Sequence, residues 1–366
     1  MKKKIMIVVG TLTTGGMERV NTVLANKLGE TNEVFLYTIR GDKDSFYPLT
    51  VPLLKNNKTE NSSRRLNILR LSGLLRLKFI NQWIYKKEAA KVIKIIEKET
   101  PDTIIFNAEN VLCLPFVKKA FPEINYISWL HNNANTYLTR VFKGIKSDFI
   151  KSLAQSNKVV SLTDEDKDIF KIFNEDTIAI PNPLTIDNHE ISTLDTKIIS
   201  WTGRIAHPMK GIDYLAEIAS RLPDDWRISV AGSGNDKLFD KYINKYRSRD
   251  KIIRQGSLTG KRLKAHYLNS SIYLMTSRWE GFGLVLIEAM SFGLPIVAFE
   301  QSGSNEVLQA GDTGVLIKNG DVEEIVQALL ELIADKDKRI VYQKKSLERV
   351  KDFDIDTIVK QWEAIL

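Results

Sequence analysis

The chain has 366 residues, 43 % of them hydrophobic and 27 % charged, with a net charge of +8. That length suits two domains of roughly 100–200 residues each, and the apolar fraction supports a proper core. No stretch approaches the ~18 consecutive apolar residues of a membrane-spanning helix. A single cysteine, Cys113, excludes an internal disulfide and a thiolate metal cluster. The expected location is the cytoplasm.

The charge is unevenly placed. Residues 1–183 hold 28 basic and 19 acidic side chains, whereas residues 184–366 hold 25 and 26. Residues 55–98 alone hold 12 basic and 3 acidic residues, so this one segment accounts for the whole excess.

The apolar run Lys4–Val9 is too short for the core of a secretory leader and reads as a first, buried strand. A strand-to-helix turn follows, Thr11-Leu12-Thr13-Thr14-Gly15-Gly16-Met17-Glu18-Arg19, with a helix to about Leu28. The glycine pair permits close backbone approach to a ligand. It lacks both the dinucleotide GxGxxG spacing and the P-loop lysine, and taken alone it serves plain turn chemistry equally well. Residues 33–39 read as a second strand and 41–63 as loop. Residues 64–98 read as one or two helices in which leucines, Phe79, Trp83 and Tyr85 mix with basic residues. Such a segment suits an anionic membrane or an acidic acceptor, or it is a solvated face. Zinc-finger spacing and RNP-type aromatics are lacking, which speaks against nucleic acid.

Strands are expected at 102–107 and 124–130, the second running into His131-Asn132-Asn133. A histidine at the end of a parallel strand is where α/β proteins place ligand contacts, although a structural histidine fits there too. Strands at 159–162 and 177–180 close the first series, and Pro181-Asn182-Pro183 is a rigid exit.

The βα alternation then repeats. A strand at 198–201 leads into Thr202-Gly203-Arg204-Ile205-Ala206-His207-Pro208-Met209-Lys210-Gly211, ahead of a helix at 212–221. Arg204 and Lys210 bracket this loop and can address one anion, the first as a fork and the second as a point charge. His207, between them, is set aside as filler. A strand at 226–231 meets Gly232-Ser233-Gly234, and Ile252–Gly256 is a short strand whose end suits a flat base. The apolar run Ile272–Met275 leads to Trp279-Glu280-Gly281-Phe282-Gly283-Leu284 and a short helix carrying Glu288. Between the two glutamates lies a helix N-terminus with free N–H groups, a ready anion site. If fully helical, the eight steps from Glu280 to Glu288 span ~12 Å, comparable to a nucleotide diphosphate sugar. Strand 295–299 precedes Gln301-Ser302-Gly303-Ser304, read as one more free helix N-terminus, and 314–317 is a last strand. Helices at 322–334 and 336–351 follow, and residues 354–366 form an amphipathic segment with Ile355, Ile358, Val359 and Trp362 on one face.

Two βαβ series joined by a linker imply an α/β protein with two open parallel sheets, whose ligands bind outside the carboxyl ends of the strands. The domains expected are 1–183, a linker at 184–196, and 197–351, with 352–366 as a final helix.

Taken together, Gly15-Gly16-Met17-Glu18, Pro181-Asn182-Pro183, Gly203-Arg204 with Lys210-Gly211, and the Glu280 and Glu288 pair resemble glycosyltransferase family 4 over essentially the whole chain. The resemblance implies the GT-B fold, two Rossmann-like domains facing across a cleft, with the last helix crossing back onto the first. It implies a retaining hexosyltransferase using a nucleotide sugar, most commonly UDP-linked, with no metal or other cofactor. Arg204 and Lys210 would then hold the donor diphosphate, Glu280 the sugar hydroxyls and Glu288 the ribose. The backbone of Gly281, Phe282, Gly283 and Leu284 would contact sugar and phosphate, Gly15 and Gly16 would approach the diphosphate, and His131 would lie close to the transferred sugar. Two cations and a helix N-terminus stabilise a departing diphosphate without a metal. Each Asp-x-Asp stretch (164–166, 335–337 and 352–354) falls in a helical region rather than at a strand end. The acceptor expected is a cell-surface glycan, such as a polyprenyl-linked sugar or a wall polymer, met through segment 55–98 at the inner membrane face. Rival readings are a nucleotide-sugar epimerase or phosphorylase on the same fold, and a non-catalytic module that binds a glycan or a partner enzyme.

Overall fold

The structure is a computed structural model and describes residues 2–41, 43–56, 60–206 and 208–366. His207 and Lys58 of the basic segment therefore lie outside the described residues. Two compact units are present: residues 1–185 with 355–366, and residues 186–354.

The first unit is built on β1 (Lys4–Val9), β2 (Glu33–Thr38), β3 (Leu53–Lys55), β4 (Thr103–Asn107), β5 (Asn125–Trp129), β6 (Lys158–Ser161) and β7 (Thr177–Ala179). These pair in the order β3-β2-β1-β4-β5-β6-β7, every neighbour parallel. β1 is central, with Ile5 opposite Val34 on one side and Thr103 on the other. Helices cover both faces of such a sheet, so its inner strands read as unbroken apolar runs. Ile5–Val9 is such a run, and none of its side chains is more than 1 % exposed. The short strand β3 falls where the sequence suggests only loop. Pairing Leu36, Tyr37 and Thr38 with Leu53, Leu54 and Lys55 extends the sheet edge, and three residues are too few to carry a periodic signal.

The basic segment forms two helices, Ser62–Leu74 and Lys78–Glu99. Asn61 caps the first by accepting from Arg64 N. Not all of its cations face solvent. Arg65 pairs with Glu88 inside the unit, and Arg40, fully buried, reaches Glu88 at 3.4 Å and Glu109 at 2.8 Å. Arg70 Nε donates to Val141 O at 2.8 Å. Arg65 thus ties the two helices together and Arg70 ties the first of them to the turn at Val141, so part of the charge of 55–98 is used inside the unit.

Helix Ile355–Glu363 packs within the first unit, burying Ile358, Val359 and Trp362. Trp362 meets Trp129 edge-on, with ring centres 4.7 Å apart. Lys27 pairs with Asp356 at 2.8 Å, and Thr31 Oγ1 donates to Glu363 Oε1 at 2.8 Å.

The second unit holds β8 (Ile198–Thr202), β9 (Arg227–Ala231), β10 (Ile252–Gly256), β11 (Ile272–Met275), β12 (Ile296–Phe299) and β13 (Val315–Ile317), in the order β10-β9-β8-β11-β12-β13 and again all parallel. The stretch expected as a free linker is folded onto this unit. Ser192 N donates to Phe292 O at 2.9 Å, Ser192 Oγ donates to Ser270 O at 2.5 Å, and Leu194 is 1 % exposed. Polar composition suggested a tether, but here the serine hydroxyl and backbone satisfy buried carbonyls.

Strand order reverses between β1 and β4 in the first sheet and between β8 and β11 in the second. In open α/β sheets such reversal points carry the ligand crevice at the carboxyl ends of the strands.

Candidate active site

In the second unit the loop leaving β8 stays zipped beside the end of β9. Gly203 N donates to Ala231 O at 3.0 Å, Ile205 N to Ser233 O at 2.9 Å, and Asn235 N to Ile205 O at 3.1 Å. A Cβ on Gly232 would stand 1.8 Å from Gly203 O, so only glycine permits this approach. Arg204 alternates between the bonded residues and is exposed.

Lys210 is placed by the loop after β11. Thr276 Oγ1 donates to Lys210 O at 2.9 Å and accepts from Trp201 Nε1 at 3.0 Å. Gly211 adopts a φ of 59°, and a Cβ there would meet Thr276 O at 2.0 Å. Arg278 fastens the same two loops. Its backbone N donates to Met209 O at 2.7 Å, and Nη1 donates to Pro208 O at 2.9 Å. The guanidinium forks onto Asp213 at 2.9 and 2.7 Å and lies 3.8 Å from the centre of the Tyr214 ring. Hydrogen bonding to Asp213 raises its pKa above the ordinary arginine value.

The outcome is an ion pair at the β8/β11 reversal. Lys210 Nζ lies 2.5 Å from Glu280 Oε1, with the side chains 12 % and 13 % exposed. Glu280 is fixed from behind, its N donating to Gln301 Oε1 at 3.1 Å. Gln301 Oε1 also takes Gly303 N at 3.0 Å, and Gln301 N takes Ser304 Oγ at 3.0 Å as acceptor. Helix Ser302–Val307 is thus capped by its own side chains, which corrects the expectation of another free N-terminus there. Gly283, with a φ of 92°, opens helix Leu284–Ser291, whose first N–H groups lack partners within the helix. Gly281 lies in the turn ahead of it. Phe282 is turned inward against Phe353, with ring centres 5.6 Å apart, so only its backbone faces the turn.

Glu288 is 1 % exposed, and its Oε2 accepts from Tyr267 Oη at 2.9 Å. The strand ends at the reversal point therefore carry the part-buried Lys210–Glu280 pair, the 281–284 turn and, on the loop leaving β8, the exposed Arg204, with Glu288 buried farther along the same helix. Thr276, Arg278, Asp213 and Gln301 escaped the sequence reading because their partners are remote in sequence. A Gln three residues ahead of Ser304 was the one local signal, as a capping pair.

In the first unit, Gly15 and Gly16 start helix Gly16–Leu28 beyond β1, and Gly16 is exposed. His131 follows β5 and turns toward the β1/β4 reversal. Its Nε2 lies 2.5 Å from Asn107 Oδ1, while Asn107 Nδ2 donates to Val8 O at 3.3 Å. The Trp129 ring is 4.4 Å away, centre to centre. Burial lowers the His131 pKa to about 3. Asp166, in one Asp-x-Asp stretch, accepts from Ala134 N at 2.7 Å and from Thr163 Oγ1 at 2.7 Å, a structural role. Among the described residues, no group of three or more His, Cys, Asp or Glu is placed to hold a metal ion.

This geometry agrees with the comparisons to known proteins. Residues 186–349, most of the second unit, match the family described as glycosyl transferases group 1. Across both units the chain is similar to an uncharacterized glycosyltransferase of Haemophilus influenzae, 27 % identical over the full length of each. It is also similar to the amylovoran biosynthesis glycosyltransferase AmsD of Erwinia amylovora, 24 % identical and again over both full lengths. Among solved structures, Anabaena HepE in complex with UDP and glucose superposes with a TM-score of 0.77, covering 99 % of this chain and 98 % of that one at 17 % identity. The fold is GT-B.

Proposed function

We propose that this chain is a retaining glycosyltransferase that moves a hexose or N-acetylhexosamine from a UDP-sugar to a cell-surface glycan. The observation that carries the reading is the Lys210–Glu280 pair at the β8/β11 reversal, with Arg204 exposed on the loop that leaves β8. Lys210 and Arg204 neutralise the diphosphate as the bond to the anomeric carbon breaks. Glu280, released from Lys210 when the phosphates arrive, accepts hydroxyls of the sugar. Lysine and glutamate each satisfy the other's desolvation until substrate replaces them.

The first N–H groups of helix Leu284–Ser291 add fixed positive dipole without a metal. Glu288 serves the ribose once the side chains over its carboxylate part, because it is buried against Tyr267. For the first unit, the proposed roles are a backbone contact from Gly15 and Gly16 to phosphate and a side-chain contact from His131 to the sugar. Its neutral ring then acts as a hydrogen-bonding group, since its pKa is far below neutrality. UDP as the donor's nucleotide is supported by the HepE complex, and a surface-polysaccharide acceptor by the name of AmsD.

The test is nucleotide release from a panel of sugar nucleotides with EDTA present, for the wild type and Glu280→Gln. Slow UDP release from one or two donors, insensitive to EDTA and lost in the variant, supports the reading. Absence of both release and donor binding replaces it with a non-catalytic GT-B module, and conversion of the donor without release replaces it with an epimerase.

A further inference from the structure

The helical hairpin of the first unit ends in a tip that is apolar and exposed among the described residues. The large hydrophobic side chains exposed there are Ile68 (44 %), Leu71, Leu74, Leu75, Phe79 (70 %) and Trp83 (64 %). Residues 74–79, which form the turn between helices Ser62–Leu74 and Lys78–Glu99, are all exposed. Ile68, Leu71 and Leu75 follow the i, i+3, i+7 spacing of one face, and Phe79 and Trp83 follow i, i+4. Singly exposed leucines are ordinary, but a contiguous group of this kind marks a contact surface.

The charge around the tip identifies the contact. Between Ser62 and Lys87 no acidic residue occurs, while Arg64, Arg76, Lys78, Lys86 and Lys87 are all exposed. Lys87 Nζ lies 5.5 Å from the centre of the Trp83 ring. The carboxylates that flank the stretch are both paired, Glu88 buried with Arg65 and Glu60 with Lys91 at 2.7 Å. Aromatic and leucine side chains at the tip, with lysines higher on the same helix, match an interface whose apolar layer lies beneath an anionic one.

The first helix is anchored directly behind the tip. A Cβ on Gly73 would meet Gly144 O at 2.1 Å, so the last turn of that helix is seated backbone to backbone, and one turn earlier Arg70 Nε donates to Val141 O. An anchor so close to the turn limits the ordering cost of binding.

We infer that the tip around Leu75, Phe79 and Trp83 inserts into the headgroup layer of an anionic membrane, with Arg76, Lys78, Lys86 and Lys87 held at the lipid phosphates. The inference deepens the proposed function, on which its biological sense rests: an acceptor carried on a lipid is met at the bilayer surface.

The test is sedimentation with vesicles of phosphatidylcholine alone or with ~30 mol % phosphatidylglycerol, together with tryptophan quenching by brominated acyl chains. The variants are Phe79→Ser/Trp83→Ser and Lys86→Gln/Lys87→Gln. The wild type is expected to bind the anionic vesicles at least tenfold better than the neutral ones, with salt-sensitive binding and quenched emission. The apolar variant is expected to lose the quenching and about tenfold in binding, and the lysine variant to lose its preference for anionic lipid. Equal binding by wild type and Phe79→Ser/Trp83→Ser, or no binding by the wild type, overturns the inference. So does concentration-dependent self-association that the apolar variant abolishes without any effect of lipid. UDP release by the same variants without lipid separates the two readings: release intact with vesicle binding lost concerns the tip alone, and release absent from every protein concerns the transferase.

Discussion

His131 Nε2 lies 2.5 Å from Asn107 Oδ1, and Asn107 is oriented by donating its own Nδ2 to Val8 O. The asparagine therefore presents an acceptor, so Nε2 carries the proton and Nδ1 of the neutral ring is left as an acceptor. Asn107→Asp places a negative charge against the ring and should raise the His131 pKa by more than one unit from about 3, read by NMR titration. Asn107→Ala frees the tautomer, and should lower kcat about tenfold with donor affinity little changed. An equal loss in both would remove His131 from the sugar end of the site.

Lys210→Ala should weaken nucleoside diphosphates more than monophosphates and lower kcat/KM about 100-fold, since it removes charge from the departing group. Calorimetric titration with UDP and UMP measures the ratio. An unchanged ratio would take Lys210 out of the phosphate site. Glu280→Gln should leave UDP affinity nearly intact while abolishing turnover, because its proposed contact is with the sugar.

Arg278 touches no proposed substrate atom, yet it ties Pro208, Met209 and Asp213 to the loop that carries Glu280. Arg278→Lys loses the fork on Asp213 and the flat contact with Tyr214. The expected result is a lower thermal midpoint, by about 1–3 kcal/mol of stability, with KM for donor rising more than kcat falls. Wild-type KM in that variant would show that Lys210 is positioned without it.

His131 and His266 titrate against burial, with pKa values lowered to about 3 and about 4. Each is neutral in the folded protein where the unfolded chain, near pKa 6.5, is already protonated. Folding thus excludes up to two protons, and stability is fully present above about pH 6.5 and falls as the pH drops toward 4. The slope approaches ~2.7 kcal/mol per pH unit at pH 5 from these two groups. Urea unfolding at pH 7, 6 and 5 measures it, and His266→Asn should roughly halve the slope. A slope unchanged by that substitution would contradict the burial of His266.

The C-terminal helix holds to the first unit through Trp362, fully buried and edge-on to Trp129, whose ring in turn lies tilted against that of His131. Trp362→Ala should cost about 3–5 kcal/mol. It should also broaden the His131 ring resonances, because the support behind Trp129 is lost. A variant that unfolds like the wild type would show that the helix contributes little.

Much of the architecture was legible in the chain. Strands buried on both faces declare themselves as apolar runs, and Ile5–Val9 and Ile272–Met275 needed no partner to be recognised. Glycines at strand ends named the loops, since Gly211 and Gly232 hold places where a side chain has no room. The types and order of Arg204, Lys210, Glu280 and Glu288 suggested the chemistry proposed above. Tertiary structure alone decided which of them meet. That Lys210 pairs with Glu280, 70 positions away, follows from placing β8 beside β11, a choice of sheet order that no local pattern encodes. Glu288 was read beside Glu280 as a second ligand, and only the fold shows that its carboxylate is buried and accepts from Tyr267 Oη. The basic segment was read by its charge, which is additive along the sequence. Which cations face solvent depends instead on packing: Arg65 pairs with Glu88 and Arg70 binds Val141 O, while Leu71, Leu74, Leu75, Phe79 and Trp83 farther along are left outside. Composition is a sum over residues, whereas burial is a relation between them, and only the fold supplies that relation.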